Sequence, residues 1–412
     1  MTVYFIRKKL SFQSTIIIQE KLVEMSGKVG FGIIGIGNMG KSHVKSMEMS
    51  PEVELLAVCD IDPAAFDRIE DKVRSRIKCC TDIEEFWQTP GMEAVLIAVP
   101  HYSHPDLAIA AMEHGKHIIV EKPIAVHKAE AERLIAAAKK YPDLVKSAMF
   151  NQRMLPAHRK LKDLIEKGEL GKITRVNWII TDWFRTQIYY DSGDWRATWA
   201  GEGGGVLLNQ CPHQLDLMQW FFGMPSLVSA KAKIGKYHDI EVEDEVNAYL
   251  EYADGKIGNF ITSTGEAPGT NRLEIMADRG RVVLENGEIN FKRNEIGTEE
   301  MIRTSQRSFG KPPIWDCKVN IGTETHGGHY MIIENVARTI RGKEKLVAPM
   351  EEGIFGLELG NAMLYSGLNN VDVQLPLDAA KYAEMLAGLA KNSRYGKKQV
   401  RKVDTSDFGT SH

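Results

Sequence analysis

The sequence has little of what would mark a specialised protein. Its five cysteines are an odd number and form no Cys-x-x-Cys pair, which argues against a disulfide framework and predicts a reduced, cytoplasmic protein. No apolar run reaches the roughly 20 residues that span a bilayer, and a formal net charge of −3 offers no basic surface for nucleic acid. Internal repeats and low-complexity linkers are absent. The 412 residues, 43% of them hydrophobic, instead suit two globular domains.

The first 28 residues are interpreted as an N-terminal extension. A basic cluster at 7–9 precedes an apolar stretch at 14–18 and superficially resembles the start of an export signal. A polar run at 19–21 interrupts that stretch and no small-residue cleavage site follows, so a signal peptide is not predicted. Met25 is a candidate alternative start.

Short apolar runs alternate with amphipathic stretches between residues 29 and 150. The predicted strands cover 29–34, 54–59, 94–99, 117–120 and 144–149. Helical patterns lie between them, near 38–48, 64–74, 104–114 and 127–140. This alternation predicts a Rossmann domain, that is, a doubly wound parallel sheet built from βαβ units.

The second half, 151–394, has a different pattern. A helix near 156–167 and a strand at 172–182 precede an aromatic-rich loop, and a glycine run at 203–205 leads into a helix that ends at Phe222. Asp-Gly, Arg-Gly and Asn-Gly steps then punctuate strand-like segments from 226 to about 305, which is typical of hairpins. Helical patterns return at 326–342, 352–367 and 378–393, before a polar tail at 395–412. We predict an α+β substrate and oligomerisation domain with an open, mainly antiparallel sheet and helices on one face.

The turn after the first predicted strand has the spacing of a dinucleotide fingerprint. The six residues are Gly35, Ile36, Gly37, Asn38, Met39 and Gly40. In such a turn the first glycine permits the tight bend, the second lets the backbone approach a pyrophosphate, and the third allows close packing of helix on sheet. The spacing alone is weak evidence, but the strand before it and the helix after it make dinucleotide binding the firm interpretation.

An acid follows the second predicted strand at the expected distance. Asp60 lies about 20 residues beyond Gly40, where a carboxylate would bind the ribose hydroxyls of NAD together with the backbone of Ile61. Its charge would repel the 2′-phosphate of NADP, and the next residues offer no cation, so NAD is favoured. The alternative role of a helix cap suits Asp62 better, because Pro63 follows it.

Glu121-Lys122-Pro123 directly follows the fourth predicted strand. The carboxyl ends of parallel strands form the ligand-binding edge of such a sheet, so Lys122 is expected beside the nicotinamide, with its backbone direction fixed by the proline. A lysine that is partly desolvated and near a cationic ring has a lowered pKa and serves as a base near neutral pH. The alternative is an ordinary surface lysine.

Taken together, the motifs resemble the Gfo/Idh/MocA oxidoreductases from about residue 30 to 394. They are the fingerprint, Ala98-Val99-Pro100 with His104, Glu121-Lys122-Pro123, and the glycine run with His213 and Asp216. The resemblance implies NAD- or NADP-linked oxidation or reduction of a secondary alcohol on a sugar or cyclitol. It makes Lys122 the group that hydrogen-bonds the reacting oxygen and His213 the acid or base. It also implies cofactor contacts from Ala98, Pro100, His104, Glu121, Asn151, Trp195 and Arg196.

One position departs from the family pattern. Many members have an aspartate four residues before the histidine, whereas this chain has Asn209. An asparagine can hydrogen-bond a hydroxyl but cannot stabilise an imidazolium by charge. Either Lys122 takes more of the proton transfer, or Asn209 and Gln210 bind sugar hydroxyls, or Asp216 partly substitutes.

Aromatic residues crowd the loop before the glycine run. Trp183 and Tyr189 are candidates for a wall that stacks on the C–H face of a sugar, and core packing is the equal alternative for each. The pairs His101/His104 and His326/His329 have no acidic or cysteine neighbours at ligand spacing, so no metal is predicted.

The function predicted is hydride transfer between NAD and a secondary hydroxyl or keto carbon of a sugar, glycoside or cyclitol. An NAD-retaining glycosidase or epimerase that uses transient oxidation is the alternative, and a non-catalytic NAD-binding protein is a third. No nucleic acid or membrane partner is predicted. An open sheet leaves one face to be covered by a second copy, which predicts a homodimer or homotetramer.

Overall fold

The computed structural model describes residues 27–322, 328–397 and 400–401. Most of the N-terminal extension, much of the polar tail and His326 lie outside these ranges. The described residues form two sheets. The strands are β1 Val29–Ile34, β2 Val53–Cys59, β3 Lys78–Cys80, β4 Ala94–Ile97, β5 His117–Val120, β6 Lys146–Ala148, β7 Ile173–Ile180, β8 Leu227–Ile234, β9 Glu243–Glu251, β10 Ile257–Ser263, β11 Asn271–Ala277, β12 Gly280–Glu285, β13 Glu288–Asn294, β14 Ile314–Val319 and β15 Val373–Gln374.

Twelve α-helices connect and cover the sheets in the described part of the chain. They are α1 Asn38–Met49, α2 Asp71–Arg74, α3 Ile83–Trp87, α4 His104–Glu113, α5 Lys128–Ala138, α6 Pro156–Glu166, α7 Gln187–Tyr190, α8 Pro212–Phe222, α9 Thr298–Thr304, α10 His329–Ile340, α11 Gly353–Asn369 and α12 Ala379–Lys391.

The first sheet is the predicted Rossmann sheet. Its six strands are parallel and lie in the order β3-β2-β1-β4-β5-β6. Strands β1, β4 and β5 are almost entirely buried, as expected for apolar runs covered by helices on both faces. Because the order reverses between β1 and β4, a crevice opens at their carboxyl ends, which is where such sheets bind ligands.

One strand of the first sheet is missing from the prediction, as are β14 and β15 of the second. Lys78–Cys80 forms β3 at the edge of the sheet, so the strand before Glu121 is the fifth, not the fourth. Its three residues form no apolar run, because a short edge strand buries few side chains. Here only Cys80 is fully buried. Short strands of this kind give no periodic signal.

The second sheet has nine strands in the order β14-β13-β12-β11-β7-β10-β9-β8-β15. Its pairs are antiparallel except β7 with β10, which confirms the predicted mainly antiparallel sheet. The predicted helix after the glycine run is shorter than expected and begins only at Pro212. Residues 206–211 are turns, since Gly205 is fixed against β9 instead of continuing a helix.

Helices cover one face of the second sheet. Val246, Ala248 and Leu250 of β9 and Phe260 of β10 are buried on that face, where α11 lies against β8 and α8 against α11. The opposite face, which we expect a second copy to cover, is mixed and not uniformly apolar. It alternates isoleucines with polar side chains that bond across strands, such as Asn259 to Asn177. No helix of the described residues is both long and apolar enough to cross a membrane.

Candidate active site

The three glycines of the fingerprint have three different environments. Gly35 has φ +90°, and a Cβ there would lie 2.4 Å from the Ala98 carbonyl oxygen. A Cβ on Gly40 would lie 1.9 Å from the Gly35 carbonyl oxygen. A Cβ on Gly37 would meet nothing within 4 Å, and no side chain among the described residues caps this end of α1. Two glycines therefore serve packing, and Gly37 faces open space at a helix N-terminus suited to a pyrophosphate.

Asp60 closes the crevice from the end of β2. Its carboxylate accepts hydrogen bonds from the backbone N–H groups of Ile36 (2.6 Å) and Asp62 (2.9 Å). Asp62 caps the following turn through Ala64, as predicted for it. A cation that sequence reasoning missed lies here: Arg68 donates to the Ile36 carbonyl at 2.9 Å. The side chain of Ile61 is exposed.

The loop after β4 is fixed by a histidine. His104 is fully buried, with one ring nitrogen 2.7 Å from the Pro123 carbonyl and the other 2.8 Å from that of Val99. Burial lowers its pKa. The structure therefore gives His104 a bracing role between two loops of the crevice, while Ala98 and Pro100 lie at its rim.

Glu121 is also turned inward. One carboxylate oxygen lies 2.6 Å from Nε2 of His43, and the other accepts the Lys122 backbone N–H at 3.0 Å. Burial alone would raise the pKa of Glu121, but the bond with His43 and neighbouring positive charge lower it. His43 lies on α1 and was not predicted as a site residue. The pair joins the helix of the glycine turn to the strand that carries Lys122.

The side chain of Lys122 projects between the two sheets. Its Nζ donates to the backbone carbonyl of Asn209 at 2.9 Å, and the peptide bond to Pro123 is cis. Burial lowers the pKa of Lys122, and the positive charge of Arg196 acts in the same direction, against Glu121 and Glu202. A buried amine with a lowered pKa is chemically suited to act as a base, and the catalytic role of Lys122 stays a prediction.

His213 is the second residue of α8. It is 5% exposed and its ring meets Phe150 edge-on, with 6.4 Å between centroids. Asp216 does not supply it with a free carboxylate: Arg153 donates to both oxygens of Asp216, at 2.8 and 2.6 Å. The negative charge of Asp216 is thereby balanced within the core.

One hydrogen-bond network joins the polar side chains near Lys122, namely those of Asn209, Gln210, Tyr189 and Arg196. Tyr189 donates to Asn209 Oδ1 at 3.3 Å and accepts from Arg196 at 3.1 Å, and Gln210 donates to both Asn209 and Tyr189. Arg196 lies over the rings of Tyr189 and Trp195, at 4.8 and 4.5 Å. Most of the predicted substrate residues are thus brought together around Lys122.

The glycine run packs against the chain itself. A Cβ on Gly203 would lie 2.2 Å from Val126 Cγ1, and one on Gly205 would lie 1.9 Å from the Glu243 carbonyl oxygen. The backbone of the glycine run therefore lies close to β9 and to the loop before α5. Below it, Glu243 accepts the N–H groups of Gly205 and Leu207.

Three buried polar atoms at the site have no partner among the described residues. They are Asn151 Oδ1, Gln210 Oε1 and Trp183 Nε1. Buried polar groups are normally hydrogen-bonded, so these three atoms are candidates for contacts with a bound molecule. Asn151 begins a short 3₁₀ helix, Asn151–Met154, shortly after β6, the strand next to β5, and its amide is predicted to meet the nicotinamide carboxamide. With the open Gly37 turn, the residues fit NAD.

Two buried carboxylates, Glu202 and Glu243, were not predicted. Glu202 bonds to the side chain of Asn209 and to the Ala197 N–H. Its only sequence signal is its position directly before the glycine run. In the described residues no group of three histidine, cysteine or acidic side chains is arranged to hold a metal.

Fold and site together define a dinucleotide-dependent oxidoreductase with a second, sheet-based domain. The model of the oxidoreductase family with an NAD-binding Rossmann fold matches residues 29–148, and the model of the GFO/IDH/MocA C-terminal domain matches residues 158–283. The chain belongs to the Gfo/Idh/MocA family, and its first domain is that family's NAD-binding domain.

Curated relatives are similar over most of the chain. The scyllo-inositol 2-dehydrogenase (NAD(+)) of Bacillus subtilis strain 168 is 26% identical over 373 residues, which cover 86% of this chain and 99% of the relative. The levoglucosan dehydrogenase of Pseudarthrobacter phenanthrenivorans is 27% identical over 297 residues, 64% of this chain and 74% of the relative.

Solved structures show the same architecture. The WlbA dehydrogenase of Chromobacterium violaceum, in complex with NADH and UDP-GlcNAcA, has a TM-score of 0.72 and 27% identity, over 85% of this chain and 97% of the other. A levoglucosan dehydrogenase in complex with NADH and levoglucosan has a TM-score of 0.71 at 21% identity, over 85% and 100% of the two chains. At that identity the likeness concerns the fold.

Proposed function

We propose that the protein oxidises a secondary hydroxyl of a sugar, glycoside or cyclitol with NAD+, or reduces the corresponding ketone with NADH. The observation that carries the proposal is a half-buried lysine with lowered pKa at the ligand-binding edge of an NAD-binding sheet. Dehydrogenases of inositol and levoglucosan among the relatives support the substrate class.

The reaction needs two transfers from the substrate. Bound NAD+ supplies the acceptor for the hydride, which leaves the carbinol carbon with its electron pair. The hydroxyl proton passes to the neutral amine of Lys122, so that the C–O bond becomes a carbonyl and Lys122 becomes an ammonium. In the reverse direction the ammonium returns that proton to the oxygen.

The remaining groups orient the substrate. Gln210 and Trp183 each present a buried polar atom with no partner in the described chain, one an acceptor and one a donor. Sugar hydroxyls act as both donors and acceptors, so one hydroxylated ring can satisfy both. Asn209 and Tyr189 hold Gln210 in place. His213, near the start of α8, is a second candidate acid or base.

The aromatic loop favours a pyranose or glycoside over a bare inositol. Trp183, Tyr189 and Trp195 are half-buried, so part of each ring is available for stacking on the apolar face of a pyranose. Tyr190 and Trp199, in contrast, are buried and belong to the core. Phe184 of the same loop is exposed, so four of the loop's six aromatic rings are available for stacking.

A substrate panel tests the proposal. Sugars, methyl glycosides and inositols would be incubated with NAD+ and with NADP+, and both cofactor reduction and carbohydrate product would be measured. Equal amounts of NADH and ketone from a pyranose or glycoside are expected. Product without net NADH would instead identify a retained-cofactor glycosidase or epimerase, and absence of both would overturn hydride transfer.

Two properties of the whole protein are part of the proposal. The mixed open face of the second sheet, with its isoleucines, Tyr249 and paired asparagines, suits a homodimer or homotetramer contact. All five cysteines are free, which supports a cytoplasmic location. Size-exclusion chromatography with light scattering would determine the oligomer.

A further inference from the structure

Glu202 is a carboxylate with almost no access to water. It is 2% exposed, and both of its oxygens are engaged by residues of the candidate site. One accepts a hydrogen bond from the side-chain amide of Asn209, and the other accepts the backbone N–H of Ala197 at 2.6 Å. A buried carboxylate is costly unless such bonds compensate it, so its retention beside the reacting lysine calls for a reason.

The first contact concerns position 209. Asn209 receives Lys122 on its backbone carbonyl and Tyr189 on its side-chain oxygen. Because Glu202 accepts from the side-chain nitrogen, the amide has one orientation, with Oδ1 toward Tyr189 and Gln210. Asn209 therefore lies between a carboxylate on one side and the reacting lysine on the other.

The second contact concerns the loop of Trp195 and Arg196. Ala197 has φ +50°, a left-handed conformation that is unfavourable for a residue with a Cβ. The bond to Glu202 holds the N–H of Ala197 in that conformation. Arg196, directly before it, is thereby directed over Tyr189, where it donates to the hydroxyl group.

Glu202 and Lys122 are also coupled through their charges. Burial lowers the pKa of Lys122, and the negative charge of Glu202 raises it. Burial raises the pKa of Glu202, and the positive charge of Lys122 lowers it. The charged or titratable groups facing Lys122 are Glu121, Glu202, Arg196, Cys211, His101 and His104. Those facing Glu202 are Arg196, Lys122, Glu243 and Tyr190.

We propose that Glu202 is a positioning residue that supplies, through the side-chain amide of Asn209, the carboxylate that the family pattern has at position 209 itself. The negative charge is thus on residue 202, directly before the glycine run, and is connected to position 209 by one hydrogen bond. There it orients Asn209 and Arg196 and sets the proton affinity of Lys122. The inference rests on the proposed function of Lys122 as the base.

Glu202→Gln should therefore lower the pKa of Lys122 by about one pH unit, because a negative charge that favours the ammonium is lost. In sugar oxidation, where the amine is the active form, the acid limb of the kcat/KM profile moves to lower pH. In ketone reduction the basic limb moves the same way. Since the NH2 group of the introduced glutamine must face a hydrogen-bond donor, kcat falls as well.

The double variant Glu202→Gln with Asn209→Asp is the decisive test. The glutamine oxygen can accept from Ala197 while its nitrogen donates to the new aspartate. Every hydrogen bond is then kept, only the bond between positions 202 and 209 has its direction reversed, and the net charge is restored. We expect the acid limb to return to within about 0.3 units of the wild type and kcat to recover at least tenfold over Glu202→Gln. Glu243→Gln removes another fully buried carboxylate with similar backbone bonds, one that acts on Glu202 and not directly on Lys122. It is the control and should move the pKa of Lys122 much less than Glu202→Gln does.

The pKa of Lys122 is also measured without turnover, by NMR of protein labelled with 13C at lysine Cε and assigned with Lys122→Ala. A shift in Glu202→Gln that the double variant reverses supports the proposal even if no substrate is turned over, in which case only the proposed function fails. An unmoved Lys122, the same shift in Glu243→Gln, or a double variant as impaired as Glu202→Gln would overturn it.

Discussion

The side-chain nitrogen of Lys122 lies 2.9 Å from the backbone carbonyl oxygen of Asn209, so the end of β5 in the first sheet meets the loop that precedes α8. Neither domain alone contains both residues. The carbonyl holds the amine between the two sheets, and the same short loop orients Tyr189, Gln210 and Glu202 around it. The amine that we propose as the base is thus placed by the contact between domains.

Replacing the lysine should separate chemistry from binding. Lys122→Ala removes the proton acceptor, and we expect kcat to fall about 10²–10⁴-fold while NADH binding, followed by fluorescence, remains. Lys146→Ala, at the neighbouring strand, is the control because its Nζ bonds only to the Tyr141 carbonyl in the described structure. A fully active Lys122→Ala enzyme would exclude the proposed role.

Two fingerprint glycines should respond oppositely to the same change. Gly40→Ala places a Cβ 1.9 Å from the Gly35 carbonyl, and overpacking of this kind costs about 1–3 kcal/mol of unfolding free energy. Gly37→Ala meets nothing within 4 Å, so stability is kept, but the added methyl occupies the space for the pyrophosphate and weakens NADH binding at least about tenfold. Thermal unfolding and NADH titration of both variants check this, and equal NADH affinity in Gly37→Ala would place the cofactor elsewhere.

Cofactor preference depends on the charge of Asp60. Asp60→Asn keeps an oxygen that can accept from the Ile36 N–H but removes the repulsion of a 2′-phosphate. Arg68, which donates to the Ile36 carbonyl, is a nearby cation that can then pair with that phosphate. We expect the ratio of kcat/KM for NADP+ to that for NAD+ to rise about tenfold, equivalent to roughly 1.4 kcal/mol. The double variant with Arg68→Gln should lose most of that gain. An unchanged ratio in Asp60→Asn would contradict the assignment of Asp60 to the ribose.

The sequence predicts the parts of the site that are local along the chain. Strand, glycine turn and helix follow one another, so their spacing carries the cofactor site, and Glu121-Lys122-Pro123 marks the edge of the sheet. Arg153 and Asp216 are 63 residues apart, and no pattern in either segment indicates that they pair. The role of Glu202 could not be predicted for a related reason. Its hydrogen bond to Ala197 depends on an irregular turn, which has no periodic sequence pattern.

The ion pair between Arg153 and Asp216 should be a strong determinant of stability. Both side chains are buried, and Arg153 also bonds Glu352 and the Val347 carbonyl. Arg153→Met leaves a buried carboxylate unpaired, and we expect a loss of about 3–5 kcal/mol of unfolding free energy. The double variant with Asp216→Leu should lose less than the sum of the single changes. Lys167→Met, which breaks an exposed pair with Asp163, is the control and should leave urea unfolding unchanged, and strict additivity in the double variant would refute the coupling.

His238 should make the stability of the aromatic loop depend on pH. Its ring lies between Asp244 (3.1 Å) and the Arg185 carbonyl (2.9 Å), an arrangement in which the imidazolium donates to both. Burial alone would lower the pKa of His238, but these bonds raise it, and the same pair lowers the pKa of Asp244 against the effect of burial.

A raised histidine pKa contributes stability that is complete below the unfolded value of about 6.5 and is lost as the pH rises through the folded value. The partner Asp244 contributes above its own unfolded value of about 3.9. The Tm difference between wild type and His238→Gln should therefore be largest near pH 5 to 6, equivalent to roughly 1.5–3 kcal/mol, and shrink toward pH 9. Thermal unfolding across this range checks it, with the exposed His114→Gln as control. A difference that grows with pH would mean that the neutral ring is the form the loop holds.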